Sequence, residues 1–273
     1  MRRLVQPGPA VQPRIEIGLA QGVPIDVTLA HGIPLEEAVA KATEGFDSAW
    51  LALSEARVDD LSYVVPARSP DPAHVAWYSE PRGFDGPGTI ERLGMIVGKN
   101  GGASFLHGHG LWTPDGGDQV MGHILAPHTI LAAPVMARGI GLRGAGFERR
   151  HDPETNFDLF QVCNGAETGD CAAVRLRPNQ DFSSALQAAC AQLGWAAARV
   201  HGLGSLVSAL FECGTGLDSE ATEFLITEAQ AGPDSATPEI VIVGLNGDEL
   251  RGGRVTHGEN AILITAELVL ERL

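Results

Sequence analysis

Positive charge is what this sequence has least of. Its 273 residues hold 19 Lys and Arg against 34 Asp and Glu, a formal net charge of −15 with a pI near 4.9. No basic run exceeds Arg149-Arg150. Nucleic-acid binders gain most of their non-specific affinity from Lys and Arg that displace counterions, so direct binding of nucleic acid is disfavoured. Cysteines are also few. Cys163, Cys171, Cys190 and Cys213 form no Cys-x-x-Cys pair, which leaves a thiolate zinc site unsupported. No apolar run approaches the roughly 18 residues of a membrane-spanning helix. Met1-Arg-Arg is basic, but Gln6–Pro13 is no apolar leader core. We therefore expect a soluble, reducing, cytoplasmic setting with no membrane partner.

What is present suits a folded chain. Hydrophobic residues make up 44% and charged residues 19%, enough apolar content for a core. The 34 glycines and 17 prolines imply many turns. The length is comfortable for two domains.

After a Pro-rich tail over 1–13, Arg14–Gly18 and Ile25–Leu29 alternate as half-buried strands do. Pro34 followed by Glu36-Glu37 opens a helix to about Thr43, its acids favoured by the helix dipole. Ser48–Leu53 and Thr89–Val97 read as strands, with a long surface loop over 66–88 between them. The second half repeats this order. Strands at Phe157–Cys163 and Ala173–Arg177 precede a helix capped by Asp181, and further strands lie at 222–227, 239–244 and 261–270. Residues 138–155 read as a flexible linker. They include Gly139-Ile-Gly-Leu-Arg-Gly144, a weak dinucleotide fingerprint because no helix follows it.

Three of the nine histidines lie in Phe105-Leu-His-Gly-His-Gly-Leu-Trp112 and Val120-Met-Gly-His-Ile-Leu125. The Thr113-Pro-Asp-Gly-Gly-Asp118 break between them is turn chemistry, and Asp115 and Asp118 read as turn residues. We read a β-hairpin. Side chains alternate faces along a strand, so His107 and His109 share one face about 6.5–7 Å apart. If the turn centres on Gly116, His109 and His123 are equidistant from it and face each other, with Cβ atoms about 4.5–5.5 Å apart. Neutral imidazoles suit Zn²⁺ and other divalent transition ions. Three such ligands with an open position form the catalytic pattern rather than the structural one. Without a metal, these are three histidines on a half-exposed sheet. His31, His74, His151, His201 and His257 have no partner spacing.

The two halves align as an internal repeat. Pro34 matches Asp181 at an offset of 147, and Met121 matches Gly252 at an offset of 131, so the second copy is 147 − 131 = 16 residues shorter. The loss falls on the arm carrying His107 and His109, and Arg254 stands where the first copy has His123. Glu267 stands where the first copy has Pro134. The expected organisation is α+β: two tandem antiparallel-sheet domains over 14–137 and 156–273, one main packed helix each, the second without the histidines.

The order Arg175-Leu-Arg, Gly202-Leu-Gly-Ser205, Glu239-Ile-Val-Ile-Val and Gly252-Gly-Arg-Val resembles the plants-and-prokaryotes-conserved (PPC) domain. In the first copy the same pattern resembles Glu91-Arg-Leu-Gly-Met-Ile, His107-Gly-His, Asp115-Gly-Gly and Met121-Gly-His-Ile-Leu, with Met121 in place of the family's first glycine. The resemblance implies an α+β domain, usually trimeric, with the three histidines on a metal. The fold group includes zinc-dependent acetolactate decarboxylases. Plant members contact DNA through an Arg-Gly-Arg-Pro hook that this sequence lacks.

Four further residues are candidates for a shared cleft. Arg254 reads as a surface arginine or as a bidentate partner for a substrate carboxylate. Glu267 and Glu91 read as cleft acids or solvated ones, and His128 as a loop histidine or an outer base. Two functions follow. One is a zinc-dependent lyase or hydrolase acting on a small organic acid. The other is a non-catalytic regulatory module associated with DNA through a partner.

Overall fold

The computed structural model describes residues 1–273, the side chain of Asp85 excepted. Its first half runs β1 (Ile15–Leu29), α1 (Leu35–Ala42), β2 (Ser48–Val64), β3 (Arg82–Asn100), β4 (Ala103–Pro114), β5 (Val120–Ile124) and β6 (Val135–Arg143). Then come β7 (Ala145–His151), β8 (Asp158–Asn164), β9 (Cys171–Leu176), α2 (Phe182–Leu193), β10 (Ala198–Val207), β11 (Glu223–Glu228), β12 (Glu239–Val243), β13 (Leu250–Arg254) and β14 (Ala261–Arg272).

This overturns the α+β expectation. Strands make up 56% of the chain and helical residues 10%, and one sheet joins 16 strands. The helices are short, 8 and 12 residues, too little to form a layer in each half. The strands are longer than the local patterns suggest. Gly22 and Pro24 do not split β1, because its residues 15–20 pair with β9 and residues 21–29 pair with β6. One strand thus belongs to both halves and welds them into a continuous sheet. The expected linker is also sheet: β6 and β7 occupy it, and β7 pairs with β8 along its length. Gly139 sits where a Cβ would fall 1.8 Å from the Trp50 carbonyl oxygen, so the glycine pattern here serves backbone packing rather than phosphate binding.

Within the first half, β2, β3, β4 and β5 close on themselves, since β2 pairs with both β3 and β5. Helix α1 packs Leu35, Ala38 and Val39 on the outer face of these strands. Helix α2 starts where the Asp181 side chain accepts the Ser184 backbone N–H, and ends at Gly194 with φ +67°. It packs Phe182, Leu186 and Cys190 on the second half. A central cluster joins the inner faces. Trp50, Ile96, Met121 and Ile140 from the first half meet Leu203, Leu225, Val243 and Val269 from the second. Neither described helix is long and apolar enough to cross a membrane.

Candidate metal centre

The hairpin forms with the register that its turn chemistry predicts. His109 pairs with His123, Gly110 with Gly122, Leu111 with Met121 and Trp112 with Val120. Alternation along β4 sends Leu106 into the core beneath α1. His107 and His109 point the other way, toward the second half. The ring centroids of His107 lie 4.8 Å from those of both His109 and His123, and those of His109 and His123 are 5.5 Å apart. One nitrogen from each ring falls within 4.8 Å of the others, a cluster that could hold a metal ion.

The second half orients two of these rings. Glu267 on β14 places Oε2 2.6 Å from His107 Nδ1. The Phe224 carbonyl on β11 lies 2.8 Å from His109 Nδ1. A carboxylate and a carbonyl accept, so each Nδ1 is placed to donate, and in the neutral imidazole Nε2 then presents a lone pair. Those two Nε2 atoms face each other at 3.1 Å. Bare lone pairs at that distance repel. A cation between them removes the conflict, and both nitrogens can reach one ion at the usual distance of about 2.0–2.1 Å.

Burial shapes the charge. His109 is 1% exposed. Burial pushes its pKa well below the ordinary histidine value, the neighbouring His107 adds to this, and the Phe224 hydrogen bond opposes it. Burial, then His107 and His109, hold His123 well below as well. Both rings are therefore in the neutral form that ligation needs.

Two residues at the centre escape the sequence reading. Glu223 on β11 is 4% exposed, and neither of its carboxylate oxygens has a hydrogen-bond partner. Its Oε1 lies 3.5 Å from His109 Nε2 and 3.8 Å from His123 Nδ1. Burial pushes its pKa well above the carboxylate range. The one available signal is a lone acid immediately before the apolar run Phe224-Leu-Ile, within the strand expected over 222–227. Tyr78 arrives through a two-residue strand, Trp77–Tyr78, paired with Pro66–Ala67 inside the stretch expected to be loop. Tyr78 is 39% exposed as a residue, but its hydroxyl points inward, 3.4 Å from His123 Nδ1. Burial of that hydroxyl, then Glu223 and Glu267, raises its pKa well above the phenol value.

A cavity of about 60 Å³ opens beside His107, His109 and Glu223, walled by Ala76, Tyr78, Phe157, Leu263 and Ile264. At about 10–15 Å³ for each water-sized group, it has room for about four to six of them. Among the described lining residues there is no lysine or arginine.

Of the four cleft candidates, the structure brings only Glu267 to the histidines. Arg254 sits on β13 at the sheet edge, opposite Glu239, half exposed and 3.9 Å from Glu212. Glu91 accepts from Thr113 and Gln119 and does not line the cavity. His128 is exposed on a single helical turn, Ala126–His128.

No family model and no curated protein matches the chain. Among solved structures, it is similar to a metal-containing protein from Archaeoglobus fulgidus, with 20% identity over 54% of this chain and 97% of the other, at a TM-score of 0.40. It is also similar to a plant- and prokaryote-conserved (PPC) protein from Pyrococcus horikoshii, with 16% identity over 56% of this chain and 97% of the other, at a TM-score of 0.39.

Proposed function

We propose that His107, His109 and His123 hold a divalent transition ion, Zn²⁺ first among candidates, and that the chain is a metal-dependent lyase or hydrolase for a small molecule. The observation that carries this reading is the pair of opposed Nε2 lone pairs, each fixed by an acceptor at its Nδ1. A bound ion of this kind supplies Lewis acidity toward a carbonyl or carboxyl oxygen. The chain's own residues do the rest. Glu267 holds the His107 ring in one tautomer, as carboxylates behind ligating histidines do. Phe157, Leu263 and Ile264 keep the cavity apolar and small. Tyr78, its hydroxyl kept protonated by its surroundings, lines the cavity beside His123, where it can donate a hydrogen bond to a bound molecule.

The small-acid substrate expected from the sequence is narrowed by this geometry. With no basic side chain in the lining, a substrate carboxylate finds no protein cation. A compact hydroxy, keto or ester compound fits better than a dianion. The net charge of −15 weighs against the alternative of a DNA-associated module. We also read the halves 14–137 and 156–273 as duplicated copies of which only the first keeps the histidines.

The test has two stages. Protein dialysed against Zn²⁺ is expected to hold one ion per chain, and His109→Ala less than a tenth of that. Retention by His109→Ala would overturn the metal site. Turnover is then sought with a panel of small 2-hydroxy acids, 2-keto acids and esters, read by CO₂ release and acid production. Wild type is expected to turn over at least one compound that His109→Ala does not. Full metal loading with no turnover across the panel would overturn the enzyme reading.

A further inference from the structure

We infer that Glu223 is a fourth protein ligand to the ion, so that the centre is built by both halves of the chain. This rests on the metal reading above and extends it from three histidines to a set of three imidazoles and one carboxylate.

The argument begins with strand alternation. On β11, Phe224 and Ile226 face the core beneath α2. Glu223 and Leu225 face the first half, and Leu225 joins the apolar cluster between the halves. Packing alone would favour an apolar residue at 223 as well. Instead a carboxylate is buried there with both oxygens unpartnered. Burying an ionisable group without a partner is strongly unfavourable, and such orphans call for an explanation. None of the ion pairs among the described residues joins Glu223 to a lysine or arginine; the groups nearest its carboxylate are the imidazoles of His109 and His123.

The distances supply the explanation. Four tetrahedral donors at about 2.0–2.1 Å from an ion stand about 3.3 Å from one another. Glu223 Oε1 is 3.5 Å from His109 Nε2, close to that spacing, and 3.8 Å from His123 Nδ1, about half an ångström beyond it. The histidine pair itself is at 3.1 Å. The same strand also fixes the ligand beside it, because the Phe224 carbonyl accepts from His109 Nδ1. Side chain and backbone of consecutive residues therefore bracket one imidazole.

Charge balance points the same way. Two buried carboxylates, Glu223 and Glu267, converge on three imidazoles, with no lysine or arginine among the described residues that line the cavity. A divalent ion brings +2 against their −2. An ion bound in this way ties β4 and β5 to β11, so metal uptake stabilises the packing between the halves as well as the hairpin.

The experiment uses the full-length chain stripped of metal, with Co²⁺ as the spectroscopic probe and a chromophoric chelator as competitor. Glu223→Gln keeps the volume and removes the charge. It is expected to weaken Co²⁺ binding by more than 100-fold, beyond the roughly 10–100-fold that loss of an outer-shell partner costs. It should also shift the visible Co²⁺ absorption and shrink the rise in melting temperature on metal addition. Glu223→Asp, which keeps the charge but shortens the reach, is expected to fall between the two and to serve if the glutamine variant folds poorly. Affinity within threefold of wild type with an unchanged Co²⁺ spectrum in Glu223→Gln would overturn the fourth ligand, while loss of binding in His109→Ala would show the histidine site intact. Absence of binding in wild type would overturn both readings.

Discussion

Glu267 Oε2 stands 2.6 Å from His107 Nδ1, a contact that joins residues 160 apart in sequence and in different halves of the molecule. It fixes the ring and leaves Nε2 bare toward His109. Replacing Glu267 by Gln keeps an acceptor at this point but removes the charge. We expect Zn²⁺ affinity to fall about 10–100-fold, the usual cost of losing a carboxylate behind a ligating histidine. Competition with a chromophoric chelator checks this. Unchanged affinity would show that the contact does not orient the ligand.

The hairpin was legible because its determinants are local. Thr113–Asp118 is turn chemistry, a strand's side chains have a period of two, and the pairing of His109 with His123 follows from those facts. Glu223 was not legible for the opposite reason. In Thr222-Glu-Phe-Leu-Ile the acid looks like one polar residue in a strand, and nothing nearby tells that its face lies against the other half. Arg254 was drawn in by the repeat alignment, yet β13 is an edge strand and that position faces solvent. The fold class failed where Gly and Pro were read as breaks. Gly83, Gly86, Pro87 and Gly88 lie inside β3, which continues past them through a register shift in its pairing with β2. Long antiparallel strands absorb such residues at bulges, and a local reading cannot anticipate the pairing that does so.

A second buried cluster predicts acid sensitivity. Asp152 and Arg175 are fully buried, and Asp152 Oδ2 contacts both Arg175 and Arg177, which also reach Glu16. Burial pushes the Asp152 pKa up, but Arg175, the Thr155 backbone N–H and Arg177 together carry it below the ordinary value. A folded pKa below the unfolded one contributes stability that is present above the unfolded value, about 3.9, and is lost as pH falls through the folded value. Asp152→Asn should cost about 3–5 kcal/mol at pH 7, because it leaves buried guanidinium groups short of a counter-charge. It should also flatten the fall in stability below pH 4. Urea midpoints at pH 7 and pH 3 for both proteins provide the check, and equal midpoints at pH 7 would refute the assignment.

The cysteines should react in a set order. Cys213 is exposed, and its hydrogen bonds with Thr215 lower its pKa. Cys171 is buried, and burial, then Asp170 and Glu271, push it up to about 12. Since the thiolate is the nucleophile, iodoacetamide at pH 8 should label Cys213 first and Cys171 only on unfolding. Peptide mass spectrometry over a time course reads the order. Early labelling of Cys171 in folded protein would contradict it.

Gly94 sets how closely the halves approach. A Cβ built there would fall 2.3 Å from Trp50 Cη2 and 2.5 Å from Leu225 Cδ1. Gly94→Ala should therefore overpack the central cluster and cost about 1–3 kcal/mol. Leu225→Ala alone should cost about 2–5 kcal/mol by leaving a cavity. Because the new methyl would occupy space that Leu225 vacates, the double variant should be more stable than the sum of the single losses predicts. Leu225 lies two residues from Glu223 on the same face of β11, so Gly94→Ala should also weaken metal binding, and Leu225→Ala added to it should restore part of the affinity. Thermal unfolding and chelator competition on the four proteins test both statements. Strict additivity in both readouts would mean that the contact does not set the spacing of the halves.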